Sequence, residues 1–231
     1  MQKAVELRHV TRRYGKKIAL HDVSMAIPKG KAIGLLGENG AGKSTLLKLI
    51  AGIMKPTSGE IKVFDETPNW RIRERIAYLG DLSQWYKFQR IDEAIQYAAN
   101  IFPHFQIEKA KEYLDFMKLD PQRKVEELSK GQTMRLQLIL CLARQVDLFL
   151  LDEPLSGIDL ISREKIIDLL IELLSEREVT LIISTHEIHE AEGLFEHVIL
   201  LQNGKVVKEG DAEQLRVEVG SIQKVYREVF Q

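Results

Sequence analysis

Three short stretches of this chain carry residue types and spacings suited to phosphate chemistry. Gly37-Glu38-Asn39-Gly40-Ala41-Gly42-Lys43-Ser44, continued by Thr45, fits G-x-x-x-x-G-K-[ST]. Glycines let a backbone curl until successive N–H groups face one centre, which makes a nest for phosphate oxygens. A helix starting there adds the partial positive charge of its N-terminus. Lys43 then supplies a mobile cation for the outer phosphates, and the Ser44 hydroxyl is a magnesium ligand of the right kind. The alternative is a glycine-rich turn with an incidental lysine.

The second stretch is Leu148-Phe149-Leu150-Leu151-Asp152-Glu153-Pro154, two adjacent acids directly after four apolar residues. A buried charge is costly unless a metal or a partner compensates it. At the carboxyl edge of a sheet beside a phosphate loop, Asp152 can hold magnesium and Glu153 can face the water that attacks a γ-phosphate. Solvated acids at a strand end are the competing reading. The third stretch, Leu128-Ser129-Lys130-Gly131-Gln132, opens a helical pattern. Ser129 and Gln132 form an S-x-x-Q capping box, so a structural role competes with a second anion site made of the Ser129 hydroxyl and free N–H groups around Gly131.

These stretches need a scaffold, and the hydrophobic pattern supplies one. Val5–Val10 and Ile18–Ile27 alternate with turn signals as paired strands do, the second stopped by Pro28-Lys29-Gly30. Compact apolar runs recur at Lys31–Leu36, Ile76–Leu79, Leu148–Leu151, Leu181–Ser184 and Val198–Leu201. Runs of this kind suit strands buried on both faces, as in a parallel sheet covered by helices. Asn203-Gly204 followed by Lys205–Lys208 is a hairpin signal. A helical pattern runs from Ser44 to Ala51. From about residue 85 to 145 the texture is helical, with apolar spacing over Ile91–Phe102, Ile107–Met117 and Lys130–Arg144. The pattern predicts an α/β protein with an antiparallel β-region at its N-terminus and a helical block inserted into the sheet.

Composition narrows the function classes. The chain has 231 residues, 33 Lys plus Arg against 34 Asp plus Glu, and 45% hydrophobic residues. That balance argues against nucleic-acid binding by bulk electrostatics. The single cysteine, Cys141, cannot make an internal disulfide or a cysteine metal cage; inside an apolar helical stretch it reads as core, and a reducing compartment is expected. No apolar run reaches the ~18–20 residues of a spanning helix, and Met1–Glu6 lacks the apolar stretch of a secretory signal. Action at a membrane would then require another chain to do the spanning.

In this order the motifs closely resemble the ATP-binding cassette (ABC) family across nearly the whole chain. Gly37–Ser44 resembles its Walker A loop, Leu128–Gln132 followed by Arg135 its signature, and Phe149–Pro154 its Walker B strand. Ser156-Gly157-Ile158-Asp159 resembles the D-loop and Ser184-Thr185-His186-Glu187 the switch-histidine segment, while Tyr14 before Gly15 sits where an aromatic stacks on adenine. The resemblance implies a P-loop NTPase (RecA-like) core forming one ABC ATPase domain over residues 1–231, with the helical subdomain at about 85–145. It implies an ATPase using ATP and Mg2+, in which two cassettes pack head to tail. Ser129, Gly131 and Gln132 of one would then close over ATP held by the other, with Ser129 on the γ-phosphate in trans. His186 would hold that phosphate in cis, and Asp159 would communicate between the sites. Read locally, Asp159 caps a helix over 161–175, Ser184 with Glu187 forms another capping box, and Tyr14-Gly15 is ordinary turn chemistry.

The resemblance further implies a subunit peripheral on the inner, cytoplasmic face of the cell membrane, paired with a second identical or different cassette and with integral permease subunits. A soluble single-cassette assembly or regulatory factor is the alternative. Among exporters, the short chain resembles cassettes of Gram-positive drug, peptide or lipid-type systems, including Ytr-type ones. Two positions depart from the family. Asp81 stands where it usually has a glutamine, with Gln84 three positions on, so Asp81 is expected at the metal. Lys130 replaces the commoner glycine in the signature. Trp85, Tyr86 and Phe88 follow directly; in the family this neighbourhood receives a cytoplasmic helix of the membrane partner, and core or interface both suit three aromatics in four residues.

Overall fold

A computed structural model describes residues 2–80 and 89–230. In chain order the strands are β1 (Lys3–Tyr14), β2 (Lys17–Pro28), β3 (Ala32–Leu36), β4 (Ser58–Val63), β5 (Ile76–Leu79), β6 (Leu148–Asp152), β7 (Thr180–Thr185), β8 (His197–Gln202) and β9 (Lys205–Asp211). The helices are α1 (Lys43–Ile50), α2 (Trp70–Glu74), α3 (Ile91–Ile101), α4 (Ile107–Met117), α5 (Lys130–Leu142), α6 (Leu160–Glu176), α7 (Ile188–Ala191), α8 (Ala212–Val219) and α9 (Ile222–Phe230).

The strands form two sheets. β2-β1-β4 is antiparallel throughout. The second sheet has the order β5-β6-β7-β3-β8-β9, parallel except for the β8–β9 hairpin at its edge. Its central strands are buried along nearly their whole length, and mostly apolar, because both faces are covered. Alternate residues feed different cores: Leu35, Leu148, Leu150 and Ile182 pack with α1 and the antiparallel sheet. Leu36, Phe149, Leu151 and Ile183 pack with α4, α5 and α6. This is the period-two geometry of a strand acting on continuous apolar sequence.

The α/β architecture, with an antiparallel N-terminal sheet and helices α3–α5 between β5 and β6, agrees with the pattern of the sequence. Four elements were not legible there. β4 has the sequence Ser-Gly-Glu-Ile-Lys-Val, half of it solvent-facing, and is a strand because Val5–Arg8 of β1 pairs with it. The short α2 is started by the Asn69 side chain, which accepts from the amides of Arg71 and Ile72. The C-terminal pair α8 and α9 gains its burial from Leu215, Ile222 and Val225 docking on the core. The Ser184–Glu187 capping box does not form. Ser184 is the penultimate residue of β7 and turns its hydroxyl elsewhere, while the Thr185 hydroxyl accepts from the Glu187 amide at 2.9 Å.

Candidate functional site

Strand order assembles the site. β7 lies between β6, which ends in Asp152, and β3, which feeds the glycine loop. Ser184 of β7 is in register with Asp152 on one side and Leu35 on the other. The loop turns on Gly40 (φ 85°) and Gly42 (φ 112°), left-handed conformations that favour glycine. Gly37 is required for room instead: a Cβ there would run into the Leu201 carbonyl. Gly42 precedes α1 without any side-chain cap, so the first amides of α1 are left for another acceptor.

Lys43 folds back over this loop. Its ammonium, 5% exposed, donates to the carbonyls of Gly37 at 2.6 Å and Glu38 at 3.2 Å, and lies 2.9 Å from Glu153 Oε1. The other carboxylate oxygen of Glu153 is 2.8 Å from His186 Nδ1. Glu153 has φ 51°, an uncommon backbone state for its residue type that turns its side chain off the β6 line. Lys43, Glu153 and His186 thus form one continuous polar line. Beside it the Ser44 hydroxyl meets Asp152 Oδ1 at 3.0 Å, and the Ser184 hydroxyl donates to the same oxygen at 2.7 Å. The Glu153 amide donates to Ser184 Oγ at 3.0 Å, so one buried serine orients both acids. Tyr78 Oη approaches Asp152 Oδ2 at 3.3 Å. Tyr226 of α9 is also nearby: burial pushes its hydroxyl pKa up, with the carboxylates of Glu38 and Glu153 adding to the shift.

Ser184, Tyr78 and Tyr226 have no place in the chemistry read from the sequence. Ser184 alone had a signal, its position two residues before His186 at the end of an apolar run. The two tyrosines come from β5 and α9, elements whose spacing to the acids is set by sheet order and docking.

A second cluster forms at the start of α5. Ser129 and Gln132 make the reciprocal capping box, at 3.2 Å for the Gln132 amide on Ser129 Oγ and 3.0 Å for the Ser129 amide on Gln132 Oε1. Asp159 caps α6, accepting from the Ser162 amide at 2.9 Å and its hydroxyl at 2.7 Å, and these two bonds hold its carboxyl below the ordinary aspartate pKa. A Cβ on Gly131 would come within 2.8 Å of Asp159 Oδ2 and 2.9 Å of Ser162 Oγ, so this glycine is a close-packing point between the two helix starts. The structural readings of Ser129 and Asp159 are therefore real, and compatible with either residue meeting a ligand. Tyr14, half-exposed at the end of β1, has the Arg12 guanidinium over its ring and its hydroxyl 3.2 Å from Met54 Sδ. Asp81, Gln84, Trp85, Tyr86 and Phe88 lie outside the described residues. Cys141 is buried in the core, as expected.

Around Asp152 the hydroxyls of Ser44 and Ser184 add oxygen donors to the carboxylate. Among the described residues, no group of three or more His, Cys, Asp or Glu is placed to hold a metal ion. One carboxylate plus hydroxyls fits magnesium, a hard ion that is usually bound through one or two carboxylates and substrate phosphates and keeps several waters.

Comparison with known proteins points the same way as the geometry. A family model described as "ABC transporter" matches residues 20–156. The ABC transporter ATP-binding protein YtrB of Bacillus subtilis (strain 168) is 30% identical over 225 residues, 96% of this chain and 77% of that protein. The petrobactin import ATP-binding protein YclP of the same organism is 31% identical over 235 residues, 96% of this chain and 92% of that one. Among solved structures, the dimeric post-hydrolysis cassette MJ0796 bound to ADP and Pi matches with a TM-score of 0.79 and 27% identity, over 90% of this chain and 98% of that chain.

Proposed function

Because this chain belongs to the ABC transporter family as an ATP-binding subunit and ATPase, we propose that it drives a separate membrane permease by binding and hydrolysing ATP between two cassettes. The observation that carries the reading is the Lys43–Glu153–His186 line running beside the Ser44–Asp152–Ser184 group.

In this reading the nest over Gly37–Gly42 and the open amides of α1, with Lys43, Ser44 and Thr45, take the β- and γ-phosphates. Glu38, Asn39, Gly40 and Ala41 supply the turn that presents those amides. Ser44 and Asp152 would hold magnesium, which when bound would supply positive charge against the charge developing on the phosphates. Glu153 accepts a proton from the attacking water, and His186 holds the γ-phosphate. Lys43 leaves Glu153 for the phosphates when ATP arrives, which frees the carboxylate for the water. Ser129, Gly131 and Gln132 contact the γ-phosphate of the opposite cassette, Asp159 links the two sites, and Tyr14 stacks on the adenine. Asp81 is proposed as an additional metal ligand. An unchanged magnesium requirement in Asp81→Ala would end that part of the reading.

ABC cassettes form dimers and partner with membrane permeases. No helix among the described residues is long and apolar enough to cross a membrane, so the spanning is assigned to the permease, with this subunit peripheral to it. Docking near the segment 81–88 is supported by an apolar groove of about 300 Å³ lined by Ile53, Tyr78, Leu79, Ile101, Phe102 and Leu140, with Arg73 and Arg144 in its wall; Tyr78 and Leu79 shortly precede that segment in the chain. The likeness does not favour export, because relatives of similar identity include a petrobactin import ATP-binding protein by name.

Membrane flotation of the tagged chain, with a salt wash and mass spectrometry of what stays bound, tests the proposal. Retention with an integral membrane protein is expected. A chain that floats nowhere and associates with other proteins instead would favour the assembly-factor reading and leave the ATPase chemistry standing.

A further inference from the structure

Outside the phosphate cluster, the described residue with the most fully engaged guanidinium beside this site is Arg163, in the first turn of α6. All three of its nitrogens are used. Nε donates to the Ile158 carbonyl at 3.1 Å, inside the Ser156–Asp159 loop. Nη1 donates to Glu190 Oε1 at 2.8 Å. Nη2 lies 2.9 Å from Glu187 Oε2 and 3.0 Å from Oε1. Its side chain is four-fifths buried, and so is that of Glu187, the residue immediately after His186.

We propose that Arg163 is the positioning residue for His186, tying the segment that carries the histidine to the Ser156–Asp159 loop so that the two move as one.

The electrostatics favour this over a simple surface pair. Glu187 and Glu190 bring two negative charges to one short segment, and the single guanidinium between them lets them lie side by side. Arginine suits the task because its planar fork stays charged and meets several acceptors at fixed angles, which an ammonium does not. Without it the two carboxylates repel, and the backbone that turns at Glu187 has lost its anchor. That backbone carries His186, whose ring must stay within reach of Glu153, now 2.8 Å away.

The other end of the tie is equally specific. One turn of chain separates Arg163 from Asp159, whose carboxylate caps the same helix and packs against Gly131 at the start of α5. A shift of the Ser156–Asp159 loop therefore passes through the Ile158 carbonyl and the guanidinium to His186. In a head-to-tail dimer, Ser129 and Gly131 serve the opposite ATP while His186 serves its own. Arg163 thereby couples the two sites through one rigid contact set. The inference rests on the role proposed above for His186.

The test is a double-mutant cycle on ATP hydrolysis by the full chain, comparing Arg163→Ala, His186→Ala and the double variant, with ATP affinity measured separately. Arg163→Ala is expected to lower kcat by on the order of 10- to 100-fold, the scale of a misplaced reacting group, with the ATP Kd within about twofold of the parent. In the His186→Ala background, Arg163→Ala should cause no further fall, because it acts through the histidine. Arg163→Lys should recover only part of the loss. If Arg163→Ala does not fold, Glu190→Gln carries the test with a smaller fall of the same kind, again absent without His186. A parent-like kcat for Arg163→Ala, or multiplicative losses in the double variant, overturns the inference alone. A parent-like His186→Ala overturns the role of His186 and this inference with it.

Discussion

Glu153→Gln removes one negative charge from the place where it meets Lys43 at 2.9 Å and His186 at 2.8 Å, without changing the shape of the side chain. Breaking a fully buried ion pair costs about 3–5 kcal/mol, because the remaining charge is left unpaired. Here the cost is smaller. Lys43 is 5% exposed but keeps the Gly37 and Glu38 carbonyls, and Glu153 is 21% exposed, so water screens part of the pair. About 1–3 kcal/mol remains, which for a chain of this length lowers Tm by about 4–8 °C at the midpoint of that range. ATP reverses the effect. In the parent, the phosphates must displace Glu153 from Lys43; in the variant there is no carboxylate to displace. ATP affinity should therefore rise by on the order of 10- to 100-fold, and the ATP-induced rise in Tm should grow with it. Thermal unfolding with and without ATP in EDTA, where hydrolysis is stopped, reads both quantities in one experiment. A variant that melts with the parent in the absence of nucleotide and shows the same ATP shift would refute the reasoning. In that case Lys43 and Glu153 would touch without sharing any binding energy.

Three other outcomes follow from particular contacts. Ser184→Ala removes the bond to Asp152 Oδ1 and the acceptor of the Glu153 amide, and should cost about 1–3 kcal/mol in urea unfolding together with a lower kcat; parent values for both would show that the serine orients nothing. Burial pushes the Cys141 thiol up to about 12, so at pH 8 its thiolate fraction, and its alkylation by iodoacetamide, should be on the order of a thousandfold below that of an ordinary thiol until the chain is denatured. Stoichiometric labelling of the native protein within minutes would contradict that. Burial, then the charge of Lys31, hold His197 below its ordinary 6.5, with Asp211 opposing them. As pH falls below that value the unfolded chain takes up the proton first, so this residue subtracts stability as pH drops and contributes no penalty above about 7. His197→Gln should flatten the stability curve on the acid side of neutrality; an unchanged slope would place the titration elsewhere.

The sequence alone determined the parts of this protein whose geometry is local. The glycine loop, the acids after an apolar run, and the capping box at Ser129 each depend on residues within a few positions of one another, so spacing suffices to read them. Buried strands announced themselves for the same reason: β3, β5, β6, β7 and β8 each carry a continuous apolar run, which suits a strand covered on both faces. What only the tertiary structure decided is how these pieces meet. Nothing in the spacing says that β7 falls between β3 and β6, yet that order is what gives Ser184 to Asp152 and sets His186 against Glu153. β4 was invisible because half of it faces water and its pairing with β1 supplies the order that its own sequence lacks. Arg163 carries no motif signal in the sequence, and its place is set by acceptors on Ile158, Glu187 and Glu190. Local chemistry is written along the chain at fixed offsets, whereas contacts between strands and helices depend on layer order and docking, which no offset encodes.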